Sequence, residues 1–108
     1  MNISALEKML ARGKDDALLR FALGNAYLQD GRPDEAVAHL QAALVHKPDY
    51  SAAWKLLGKA YADMAQHELA LRAYQDGISA ADKTGDRQAA KEMAVFARRA
   101  RKALGAGS

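Results

Sequence analysis

Leu23-Gly24-Asn25-Ala26-Tyr27 and Leu57-Gly58-Lys59-Ala60-Tyr61 carry one pattern, Leu-Gly-x-Ala-Tyr, at a spacing of 34 residues. The same shift pairs Ala36 with Ala70, Leu40 with Tyr74, Gln41 with Gln75 and Leu44 with Ile78. Small residues meet small ones and large apolar residues meet large ones. One register therefore aligns both halves of a unit that occurs twice, as in an array of stacked supersecondary units.

The unit reads as a helical hairpin. Over 17–30, Leu19, Leu23, Ala26 and Tyr27 recur at helical spacing and form an apolar stripe. Asp30-Gly31-Arg32-Pro33 interrupts it, because Gly31 can turn left-handed past a helix end and Pro33 suits the first turn of the next helix. Asp34 and Glu35 then place negative charge at that helix's N-terminus, where the peptide dipole favours it. A second stripe follows through Ala36, Val37, Leu40, Ala43 and Leu44, and Pro48 closes it. Gly24 and Ala36 are small where the two helices must approach.

On these residues, segments 17–50 and 51–84 resemble two tetratricopeptide repeats. The second supplies Trp54, Leu57, Gly58, Tyr61, Ala70 and Tyr74; the first supplies Leu23, Gly24, Tyr27, Ala36, Leu40, Ala43 and Pro48. The departures are specific. Arg20 stands where the family favours Trp, Gly77 where it favours Ala, Ala65 replaces the turn glycine and Asp82 the closing proline. A glycine within a helix costs about 1 kcal/mol against alanine, so Gly77 predicts a close helix approach. Without its proline, the fourth repeat helix is expected to run longer.

The ends read as caps. Leu6, Met9 and Leu10 fall in register with Leu40, Ala43 and Leu44, so 3–12 resembles the second helix of a half-repeat. Thr84-Gly85-Asp86 reads as a break and N-cap before a helix over 87–104, whose apolar face is Ala89, Met93, Phe96, Ala97, Ala100 and Leu104. Residues 105–108 read as a flexible tail. The expectation is a single all-α domain over 1–104, six helices wound as a right-handed α-α superhelix.

Composition agrees. Ala and Leu dominate the 108 residues, and the absence of cysteine removes disulfides and thiolate metal sites. No stretch approaches the roughly 20 apolar residues of a membrane span, so a cytoplasmic protein is expected. The net charge of +3 is unevenly placed: Arg87, Lys91, Arg98, Arg99, Arg101 and Lys102 against Glu92 give residues 87–102 +5, leaving −2 elsewhere.

No catalytic constellation, metal site or cofactor motif emerges. His39 and His46 lie two helical turns apart, about 10.5 Å, too far to share a metal. Asp15-Asp16 and Asp34-Glu35 precede or open helices, where capping and the dipole account for them. Gly24 and Gly58 are mid-helix contacts, not a phosphate loop. Tyr27, Trp54, Tyr61, Tyr74 and Phe96 fall on core faces; Phe21 lies off the main stripe of its helix.

In this family the first helices line a concave groove, and the resemblance implies a non-enzymatic scaffold that binds protein. By register the groove would hold Leu18, Phe21, Asn25 and Leu28, then Ala52, Lys55, Lys59 and Ala62, completed by Lys91, Val95, Arg98 and Lys102 of the last helix. Apolar groups among cations suit an acidic peptide with apolar anchors. The competing reading packs Phe21 and Leu28 on the N-terminal helix. The family's clamp for chaperone carboxylate tails would require Lys, Asn, Asn, Lys and Arg at Phe21, Asn25, Leu56, Asp86 and Ala90; only Asn25 matches. Contact of the basic helix with nucleic acid or an anionic surface is the alternative. It is disfavoured because no aromatic interleaves the charges for base stacking. Self-association is a third.

Overall fold

The computed structural model describes residues 2–105, all of whose regular structure is helical. Six helices follow in order: α1 (Ile3–Ala11), α2 (Ala17–Gln29), α3 (Pro33–His46), α4 (Ser51–Asp63), α5 (His67–Thr84) and α6 (Arg87–Gly105). Gly105, expected in the tail, is the last residue of α6, and residues 106–108 lie outside the described part. The described chain measures 48 × 30 × 19 Å, and its thickness is that of two helices.

Several boundaries have a local cause. The Asn2 Oδ1 accepts from the Ala5 N–H at 3.3 Å, and the Asp16 Oδ1 from the Leu19 N–H at 2.8 Å. The Asp86 Oδ1 caps α6 through the Ala89 N–H at 3.1 Å. These carboxylate and amide oxygens satisfy donors that a helix start leaves unpaired. Lys47, forced extended by the proline after it (φ −143°, ψ 89°), ends α3. The two hairpin turns are copies: the Arg32 N–H reaches the Tyr27 carbonyl at 2.9 Å, and the Gln66 N–H the Tyr61 carbonyl at 2.9 Å. Gly31 takes φ +74° there, and Ala65 is held at φ +59° to make the same turn. The turn survives the loss of its glycine because the flanking helices dictate its path. As expected without proline at 82, α5 has 18 residues against 14 in α3.

Consecutive helices pack antiparallel, α2 on α3, α4 on α5 and α5 on α6, while α1 packs on α2. The close approaches need glycine. A Cβ on Gly24 would stand 2.5 Å from Leu40 Cγ, and one on Gly58 would overlap the Tyr74 ring. At Gly77 it would stand 2.7 Å from Trp54 Cβ and strike Met93. The sequence departure at Gly77 thus seats α6 on α5. The core is two clusters, one around Leu23 and Leu40 and one around Tyr74 and Met93, and Trp54 and Tyr61 pack against both.

Arg20 and Trp54 solve one positional problem in two ways. The Trp54 Nε1–H donates to the Pro48 carbonyl at 2.9 Å. Arg20, 34 residues earlier, forks onto Asp15 at 2.8 and 2.9 Å. Both tie a first helix to the loop before it. Asp15 therefore serves as an ion-pair partner, not as the capping group expected of it; that role falls to Asp16. Leu104 also departs from expectation: it is 48% exposed, because α6 outruns the end of its support.

Candidate functional site

The first helices of successive units come side by side. The Phe21 ring on α2 stacks on Tyr50, the residue that caps α4, at 5.0 Å and 27°. Lys55 of α4 meets Glu92 of α6 at 3.5 Å. Phe21 is therefore partly buried against the following unit. Leu18 is 70% exposed, and with Phe21, Asn25 and Gln29 it lines a shallow depression along α2. Leu28 is half-buried on the core and does not line this depression.

On α4, Lys55 is engaged with Glu92, and Lys59 with Asp63 at 3.5 Å in an exposed i,i+4 pair. Both cations are partly neutralised, and such exposed pairs contribute little and exchange readily. Lys59 and Ala62 line a cleft of about 370 Å³ together with Asp63, His67, Tyr74, Phe96, Arg99 and Ala100. Lys91, Val95 and Arg98 are exposed on α6 and lie outside this cleft's lining. The residues that α6 presents toward α4 are Glu92, Phe96 and Arg99, spaced i, i+4 and i+7 on one stripe. That stripe was readable beside the buried Ala89-Met93-Ala100 stripe. It borders α4 because the flank of a packed helix faces its neighbour, whereas Lys91, Val95 and Arg98 lie on the exposed side of α6.

The cleft has an apolar floor and a charged mouth. The Tyr74 ring is 4% exposed and packs on Phe96 at 5.5 Å between centroids. Burial pushes the Tyr74 phenol up to about 12, with the Asp63 charge adding and Arg99 opposing. The Arg99 guanidinium lies over the Phe96 ring, 5.5 Å from its centroid.

The other polar cluster is structural. The Tyr27 hydroxyl donates to Glu7 at 2.7 Å, and this bond is the first cause raising that phenol. The His39 ring stacks on Tyr27 at 5.3 Å and 5°, with Nδ1 3.1 Å from Arg20 Nη1 and Nε2 3.5 Å from Glu7. Arginine only donates, so Nδ1 accepts and the hydrogen is assigned to Nε2. Burial depresses His39, which favours the neutral ring. The Arg20 fork, then His46 at 3.0 Å, holds the Asp15 carboxyl far below the usual range. These contacts join α1 and the following loop to α2 and α3. Among the described residues no group of three His, Cys, Asp or Glu side chains converges to hold a metal, and no helix is long and apolar enough to cross a membrane.

A tetratricopeptide repeat family model matches residues 3–59 and 28–94. A TPR repeat-containing protein of Pseudomonas aeruginosa is 50% identical over 99 residues, covering 92% of this chain and 94% of that protein. A co-chaperone of heat-shock cognate protein from Aspergillus fumigatus is 42% identical over 55 residues, which are 51% of this chain and 16% of that protein. Among solved structures, a Bordetella parapertussis protein superposes with a TM-score of 0.82 at 43% identity, over 96% of this chain and 92% of that one. The Sgt2 TPR domain of Aspergillus fumigatus gives 0.80 at 26% identity, over 98% and 70%. The all-α superhelix expected from the repeat is the fold these structures share. Register, fold and sequence agree: the chain belongs to the tetratricopeptide repeat family, whose domains generally mediate protein–protein interaction.

Proposed function

We propose that the chain is a non-catalytic scaffold, a single domain over 1–104, that holds a peptide or partner protein along the face formed by α2, α4 and α6. The observation that carries this reading is the lateral contact of those three helices through Phe21–Tyr50 and Lys55–Glu92, which makes their surfaces continuous. Along that face the character changes. The α2 portion is apolar or uncharged, with Leu18, Phe21, Asn25 and Gln29, whereas the α4 and α6 portion carries Lys55, Lys59 and Arg99 against Glu92 and Asp63, with Lys91 and Arg98 on the adjoining exposed side of α6. A partner segment with apolar anchors at one end and carboxylates at the other complements it. The Aspergillus relative bears the name of a co-chaperone, which fits a protein ligand. A cytoplasmic setting accords with a chain that has no cysteine.

The test is capture of host proteins on the immobilised chain, followed by titration of the purified partner. Lys55→Glu with Lys59→Glu, and separately Phe21→Ala, are expected to weaken binding with helicity by circular dichroism unchanged. Equal affinity in both variants removes the face as the binding surface.

One observation favours a second reading, contact with an anionic surface or nucleic acid. Lys91, Arg98, Arg101 and Lys102 form no ion pair among the described residues, and like charges three or four apart on one helix repel. Filter binding across salt concentrations tests it. Absence of salt-sensitive retention rejects it.

A further inference from the structure

The hydroxyls of two tyrosines on first helices are satisfied within the fold: Tyr27 donates to Glu7 at 2.7 Å and Tyr61 accepts from Gln41 at 3.1 Å. Tyr74 differs. Its side chain is more than nine-tenths buried, yet no described residue forms a hydrogen bond with its hydroxyl. The oxygen is not sealed in the core, because no wholly buried side-chain nitrogen or oxygen among the described residues lacks a partner. The residue lines the cleft between α4 and α6, so its polar tip is presented there. At the matching position of the first repeat stands Leu40, which fills the same space against Gly24 without a polar atom. Tyrosine where leucine packs therefore adds one hydrogen-bonding group, open to the cleft, that a ligand entering there can engage.

The surroundings define that ligand. Phe96, Ala62, Ala100 and the Tyr74 ring make an apolar floor, with room for one large side chain. Lys59 and Arg99 stand at the mouth against the single carboxylate of Asp63, and Arg98 and Lys102 add unpaired cations on the same end of α6. The excess positive charge selects carboxylates and repels a basic segment.

We propose that this cleft is the anchor site for an acidic peptide segment: an aromatic or branched apolar side chain enters over Phe96, a flanking Asp or Glu meets Arg99 and Lys59, and an acceptor on the segment takes the Tyr74 hydroxyl hydrogen. The inference rests on the concave-face reading and adds which part of that face selects the partner, and by what chemistry. It draws on Phe96, Arg99 and Tyr74, which the repeat register alone did not nominate.

The test uses the whole chain immobilised against a phage-displayed library of random peptides. Enriched sequences are expected to carry Phe, Trp, Leu or Ile beside Asp or Glu; enrichment of basic sequences, or none, overturns the proposal. A synthetic peptide of the consensus is then titrated by fluorescence anisotropy. Tyr74→Phe, which keeps the ring, is expected to lower affinity about fivefold, the worth of one neutral hydrogen bond, without lowering the thermal midpoint. Arg99→Glu is expected to lower it about tenfold or more. Leu18→Ala separates the two levels of the reading. If it weakens binding while Tyr74→Phe and Arg99→Glu do not, the face binds but this cleft is not the anchor. If none of the three changes affinity, both readings fall. A labelled DNA duplex displacing the peptide at low salt assigns the cations to nucleic acid instead and overturns the proposal.

Discussion

Tyr27 donates its hydroxyl hydrogen to Glu7 across 2.7 Å, and 34 residues later Tyr61 accepts from Gln41 across 3.1 Å. The two bonds occupy one position of the repeat. α1 is therefore related to α2 as α3 is to α4, although α1 has no first helix of its own among the described residues. The charged version of the bond falls where the packing is thinnest, on a terminal helix of 9 residues.

Glu7→Ala is expected to loosen α1 selectively. A hydrogen bond to a charged acceptor is worth about 1.5–3 kcal/mol when well shielded, and partial exposure reduces that to about 1 kcal/mol. Amide hydrogen exchange over residues 3–11 checks this: protection there should fall while that of α3 and α4 stays unchanged.

Ala65→Gly is expected to stabilise the protein by about 1 kcal/mol. Alanine at φ +59° bears the steric cost of the left-handed region, and glycine removes it with the turn's hydrogen bonds intact. Chemical denaturation should show a higher midpoint with the slope unchanged.

Gly58→Ala is expected to destabilise by about 1–3 kcal/mol, despite alanine's better helix propensity, because its Cβ would meet the Tyr74 ring. The ring cannot swing aside freely, since Phe96 packs on it at 5.5 Å. A lower thermal midpoint, together with weaker peptide binding at the neighbouring cleft, is the expected pair of results.

His39 makes stability depend on pH. Its folded value is depressed by burial, so the unfolded chain takes up the proton first as pH falls below about 6.5. The stability it contributes is fully present above that pH and is lost as pH falls through the folded value. The groups facing it are Glu7 from α1, Arg20 and Tyr27 from α2 and Glu35 from α3. His39→Gln is expected to flatten the fall in thermal midpoint between about pH 7 and pH 5. An unchanged profile would assign that fall to other groups.

The hairpins, their turns and the family were legible in the sequence because they depend on local spacing: glycine and proline between stripes, small residues at the crossing and a period held twice. The extension of α5 and the role of Gly77 were legible as departures from that period. Other features belonged to the tertiary structure, because they depend on residues far apart in sequence. Asp15 looked like a cap until Arg20 and His46 were brought onto it. Phe21 stood off the main stripe of its helix until Tyr50 came beneath it. Arg99 and Phe96 joined Lys59 only because the angular setting of α6 against α4 turned one flank of the last helix toward the cleft, and no repeat register specifies the setting of a helix that is not itself a repeat.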